Sequence, residues 1–127
     1  MSRFLWICAA GALGTGARYL LSGWALAVLG AGFPYGTLAV NVSGSFLMGL
    51  VMQVGLATPL LSPTLRMTLA TGFIGGFTTY STFNYETIRL VQTGAWKLAI
   101  GNVAITLVTC FTAGLAGIAL GRSLFGG

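Results

Sequence analysis

Histidine is absent from the 127 residues, and Glu86 is the only acidic residue against six bases, Arg3, Arg18, Arg66, Arg89, Lys97 and Arg122. Each gap closes off a class of chemistry. Two carboxylates cannot share acid–base work when the chain holds one, which excludes paired-acid hydrolysis. No set of side chains resembles a metal centre, so metal catalysis is excluded too. With no activated nucleophile either, no enzyme reading remains. Charged residues make up 6% of the chain, where soluble domains carry about 25%. So few ionisable groups cannot build a water-facing surface, so the chain reads as a membrane protein. The bases stand singly, without a run or stripe, and nucleic acid is excluded as a partner despite a net charge of +5. Cysteine is scarce. Cys8 and Cys110 fall in spans at different depths, which argues against a disulfide and reads both as small buried hydrophobes.

What is abundant is apolar length. Four stretches, at residues 4–29, 35–56, 65–91 and 96–120, reach the roughly 20 helical residues that cross about 30 Å of hydrocarbon. These run lengths favour helices over barrel strands of about ten residues. Short connections at Gly30–Pro34, Ala57–Thr64 and Gln92–Ala95 join them into one domain, residues 1–127. Arg3 before an apolar run suggests a targeting signal, but apolar character resumes after Arg18, and the segment reads as a first span.

Orientation is nearly undetermined by charge. With four spans, Arg3, Arg66 and Arg122 share one side, and Arg89 and Lys97 share the other, with Arg18 inside the first span. The positive-inside rule needs an imbalance, and three against two is almost none. Charge therefore leaves insertion both ways open, with two copies pairing antiparallel about a two-fold axis in the membrane plane, unless folding or lipids fix one orientation. One four-helix copy also has little room for an internal pathway. The expected fold is an all-α membrane protein of four transmembrane helices in an antiparallel, dual-topology homodimer.

Glycine is in excess, at 20 residues, and for most of them close helix packing is explanation enough. The third span differs. Thr71-Gly-Phe-Ile-Gly-Gly-Phe-Thr-Thr-Tyr-Ser-Thr-Phe83 joins helix-weakening glycines to four hydroxyl residues, Thr78, Thr79, Ser81 and Thr82. Hydroxyls bond locally to backbone groups and replace ladder bonds lost at a break. The third helix is therefore expected to break near the midplane, where exposed backbone groups can coordinate ions.

Polar residues elsewhere keep helical register. Thr37, Asn41 and Ser45 share one face of the second span, as do Asn102, Thr106 and Cys110 in the fourth. Such residues either bond across helices or line a path. Hydroxyl and amide donors attract an anion without a fixed charge that would trap it. The positive edge of Phe83 does the same, and Arg18 would draw anions into a vestibule. Glu86 follows one turn later, with Arg89 close enough to pair with it.

These residues resemble the Fluc (CrcB) family of fluoride channels over nearly the whole chain. The resemblance lies in the Gly-rich first span with Arg18, in Gly36-Thr-Leu-Ala-Val-Asn-Val-Ser-Gly44, and in the Thr71–Phe83 block with Glu86 after it. It implies a dual-topology homodimer in the cell (inner) membrane, with two antiparallel pores passing fluoride passively out of the cell. It implies a structural Na⁺ on the two-fold axis, held by the backbone carbonyls of Gly75 and Thr78. It also implies a pore lined by Asn41, Tyr80, Ser81, Thr82, Phe83, Asn102, Thr106 and Cys110, and a vestibule arginine at Arg18; Glu86, the lone acid after the block, reads from its position as a helix anchor. The expected partners are fluoride, the lipid bilayer and a second copy. Tyr80 departs from the Phe usual in the family, as do Asn84 and Cys110 from Ser and a hydroxyl. A small proton-coupled multidrug exporter is the alternative, though such proteins depend on a first-span carboxylate that this chain lacks. A non-transporting accessory subunit is a third class.

Overall fold

A helix in hydrocarbon satisfies its own backbone groups, and the chain does this almost everywhere. The computed structural model describes Met1–Gly127, and every element in it is helical. α1 (Ser2–Leu29), α2 (Tyr35–Ala57) and α6 (Trp96–Phe125) are each long and apolar enough to cross a membrane unaided. The third span is assembled from pieces. α3 (Pro63–Met67) leads into a π-helical stretch, Thr68–Ile74, and then α4 (Gly75–Phe77). Thr78 and Thr79 are extended, with ψ of 161° and 112°, and α5 (Tyr80–Gln92) resumes after them. The break thus falls at the paired threonines, beyond the glycines that precede it.

Local chemistry explains the ends of these pieces. Ser62 accepts from the Leu65 N–H at 3.1 Å and precedes Pro63, whose fixed φ suits a first helical turn. Arg66 donates to the Gly55 carbonyl at 3.1 Å, placing a cation at the C-terminal end of α2. Gly94, at φ 82°, lies in the left-handed region that lets Thr93–Ala95 turn tightly between α5 and α6.

α2 and α6 form the most extensive helix pair, while α1 lies against the π-helical stretch and α4. Glycine decides how close they come. A Cβ on Gly117 would overlap the Phe46 carbonyl of α2, and one on Gly49 would overlap the Gly114 carbonyl of α6. Gly14 of α1 meets the Phe73 carbonyl in the same way. Gly72 and Gly76 serve this approach: Gly72 faces Ile7 and Ala10, and Gly76 faces Gly11.

Only 18 of the 127 residues are buried, so most large apolar side chains point outward, as they must in a lipid solvent. Cys8 corrects an expectation: it is exposed on α1, and Cys110 is half-buried, both with free thiols. Ile7 and Ala10 beside it take the face of α1 that packs on Gly72, and Cys8 points away from that contact.

Gly117→Val should destabilise the folded protein by about 1–3 kcal/mol, because the added methyls overpack a closed contact. Gly23→Ala, where nothing lies within 4 Å, should leave stability unchanged or raise it. Denaturant titration of both variants in detergent separates close packing from helix propensity.

Candidate functional site

The break in the third span strips donors from a run of carbonyls, and their replacements define the site. In an uninterrupted helix the Thr79 N–H would donate to the Gly75 carbonyl. Here it donates to Asn41 Oδ1 at 2.8 Å, while Asn41 Nδ2 donates to the Thr79 carbonyl at 3.0 Å. The Thr82 N–H, the helical donor for Thr78, goes instead to Thr79 Oγ1 at 3.2 Å, which caps α5. Thr79 Oγ1 in turn donates to Thr82 Oγ1 at 2.9 Å. Arg18 Nε donates to the Gly76 carbonyl at 3.1 Å, a cation at the C-terminal end of α4. The hydroxyl of Thr78 donates back to Ile74, at 3.0 Å. The carbonyls of Gly75 and Thr78 have thus lost their helical donors.

Beside the break lies a groove of about 660 Å³, open on one side of the chain. Asn41, Ser45, Thr79, Tyr80, Phe83, Thr106 and Cys110 border it, so α2, α5 and α6 each contribute. Phe83 is buried, and the Tyr80 ring meets it edge to face at 5.8 Å between centroids. Tyr80 itself is 77% exposed.

The expected residues divide into three groups. Asn41, Tyr80, Phe83, Thr106 and Cys110 come together at the groove. Asn102 stands behind it, 1% exposed, donating to Thr87 Oγ1 at 2.9 Å and accepting from Thr106 Oγ1 at 3.4 Å. Thr87 in turn donates to the Phe83 carbonyl at 2.8 Å, so this chain of bonds ties α6 to α5 behind the aromatic ring. Ser81 is exposed outside the groove, and Thr82 is held by Thr79.

Glu86, expected as a helix anchor, stands on α5 past the break. It forms no ion pair with Arg89, and its buried Oε1 has no hydrogen-bond partner. It borders a second cavity of about 410 Å³ at the end of the bundle, with Ser22, Thr37, Arg89 and Thr93. Along α2, Asn41 borders the groove, and Thr37, one turn earlier, borders this end cavity. Phe83 and Glu86 repeat that relation along α5, so polar lining continues past the Phe83 ring.

Sequence spacing put Asn41, Thr106 and Cys110 on the faces that border the groove, but it did not reveal the grip of Asn41 on Thr79, the reach of Arg18 to Gly76, or the tie from Asn102 to Thr87. A lone amide in the middle of a span signals that some buried group needs it. It does not say which.

A multi-pass helical membrane protein with one broken span beside a donor-lined groove is the class that these features define. The chain belongs to the CrcB family: the family model described as CrcB-like protein, Camphor Resistance (CrcB), matches residues 5–118. It is 55% identical over 127 residues, 100% of both chains, to a protein of Sorangium cellulosum (strain So ce56) named fluoride-specific ion channel FluC. A relative of the same name from Anaeromyxobacter sp. (strain K) is 51% identical over 126 residues, covering 99% of this chain and 100% of its own. Another, from Citrifermentans bemidjiense, is 47% identical over 124 residues, covering 98% and 100%.

Asn102→Leu should lower stability by about 1–3 kcal/mol, since Thr106 loses its acceptor and an apolar chain replaces a buried amide. Thermal unfolding in detergent measures it, and an unchanged midpoint would show that the α5–α6 tie contributes nothing.

Proposed function

We propose that the chain is a fluoride-selective passive ion channel that carries fluoride out across the cell membrane and lowers its cytoplasmic concentration. The observation that carries this is the groove beside the break, lined by hydroxyl and amide donors and an aromatic ring and free of any fixed charge on its border. Full-length relatives named as fluoride-specific channels support it. A small anion is held here by donors of net-neutral groups, strongly enough to leave water and weakly enough to move on. Asn41, Ser45 and Cys110 supply donors, while the Thr106 hydroxyl spends its proton on Asn102 behind it. Phe83, with Tyr80 against it, presents ring edges. Arg18 keeps N–H groups beyond the one spent on Gly76 and draws anions toward the break. The protein is no enzyme: it moves an ion and changes no bond.

The working unit is an antiparallel homodimer. Tyr80 and Phe111 border the groove while 77% and 72% exposed, so a second copy can close its open side. Near-equal charge on the two membrane sides supports insertion both ways. Ser81, exposed next to Tyr80, and Thr82 extend the donors toward that partner. A structural Na⁺ fits the Gly75 and Thr78 carbonyls, hard oxygen ligands whose helical donors are taken by Asn41 and Thr79. A two-fold axis through the breaks would bring the same pair from the second copy. Bound there, the ion supplies a positive charge that neutralises the carbonyl ends of two half-helices.

A proton-coupled exporter is not favoured, because α1 carries no carboxylate and Glu86 stands after the break.

Purified protein in liposomes should pass fluoride rapidly with chloride nearly excluded; equal fluxes of both, or none of either, overturn the reading. In the same assay, Phe83→Ile should cut fluoride throughput by about tenfold or more while size-exclusion chromatography still shows a folded dimer. Replacing Na⁺ by K⁺ on both sides should inactivate the protein, and full activity in K⁺ alone would count against the Gly75 and Thr78 site.

A further inference from the structure

A break in a membrane helix could be stabilised by its own local sequence, and half of this one is: Thr79 caps α5 and Thr78 bonds back to Ile74. The other half is held from a different helix. Asn41, 38 residues away on α2, bonds both backbone groups of Thr79, accepting from its N–H and donating to its carbonyl. A carboxamide offers a donor and an acceptor on separate atoms of one planar group, suited to the N–H and C=O of one extended residue.

A second feature of α2 addresses the neighbouring residue. Gly44, one turn beyond Asn41, leaves the space where the Thr78 methyl sits; a Cβ there would overlap Thr78 Cγ2. Within one turn, α2 therefore presents a notch for Thr78 and a clamp for Thr79.

We propose that Asn41 is the positioning residue of the cation cradle, holding the Thr79 N–H away from the Gly75 carbonyl so that Gly75 and Thr78 oxygens stay free for Na⁺. This rests on the assignment of Na⁺ to those carbonyls made above. The consequence is a shared residue. Asn41 spends Oδ1 and one N–H on the break and keeps its other N–H at the border of the groove. An amide that merely lines the groove predicts something different: its loss lowers throughput and leaves the break untouched.

Two variants separate these roles. Asn41→Leu removes both bonds, and Asn41→Asp keeps the acceptor for the Thr79 N–H. Fluoride flux from liposomes is titrated against Na⁺ in K⁺ background, and hydrogen exchange at the Thr79 amide is followed by NMR. Asn41→Leu should raise the half-saturating Na⁺ concentration and the Thr79 exchange rate by about tenfold or more each, the scale of one lost buried hydrogen bond. Asn41→Asp should keep Thr79 exchange within about threefold of the unmodified protein, since that bond remains. Lower maximal flux in Asn41→Leu, with half-saturating Na⁺ and Thr79 exchange unchanged, overturns the proposal. Should Asn41→Leu fail to fold, the smaller Asn41→Ala decides: Thr79 exchange about tenfold faster supports the clamp, and exchange unchanged from the unmodified protein overturns it. If flux through the unmodified protein is indifferent to Na⁺, the Na⁺ assignment falls, and with it the cradle.

Discussion

A peptide group in hydrocarbon has no water to turn to, so each N–H and C=O must find a partner within the protein. The structure follows from how that requirement is met at Thr78 and Thr79. Three long helices meet it with their own ladders. The third span does not, and its replacements come from elsewhere: Asn41 from α2, Arg18 from α1 and the Thr79 hydroxyl from the break itself. The polar side chains spent on the break mark where α1 and α2 must stand. The groove lies where α2, α5 and α6 are held around it.

Glycine is the other half of that arrangement. Side-chain donors reach the break only if the helices come close, and in lipid no hydrophobic force draws them together. Gly14 against Phe73 and Gly117 against Phe46 bring backbones to distances that any side chain would prevent, and Gly44 leaves room for the Thr78 methyl. The π-helical stretch from Thr68 to Ile74 belongs to the same region, and Gly72 within it packs on Ile7 and Ala10 of α1. Small residues and buried donors thus depend on one another.

Much of this was legible in residue order. The four apolar stretches, the break and the faces bearing Asn41, Thr106 and Cys110 follow from length and helical spacing, which are local properties. Within the Gly- and Thr-rich block, spacing alone did not say which residues leave the helix. Gly72, Gly75 and Gly76 remain helical, and the extended pair is Thr78 and Thr79. Asn102 shares its face with Thr106 yet is buried behind it, bonded to Thr87, since α5 covers that part of α6. Arg89 stands three residues from Glu86 without pairing with it, so helical proximity alone did not make a contact.

The sequence by itself determined membrane residence, the number of spans, the near-balance of charge across the bilayer and the exclusion of enzymatic chemistry. Those conclusions depend on composition and on how far a run of residues reaches, and packing cannot alter either. The tertiary structure alone decided which partner each buried polar group takes. Asn41 could have bonded any neighbour; it bonds Thr79 because α2 passes the break with Gly44 in register with Thr78. Pairing across helices depends on relative position to within an ångström or so, since hydrogen bonds fail beyond about 3.5 Å. No spacing along one chain encodes that distance.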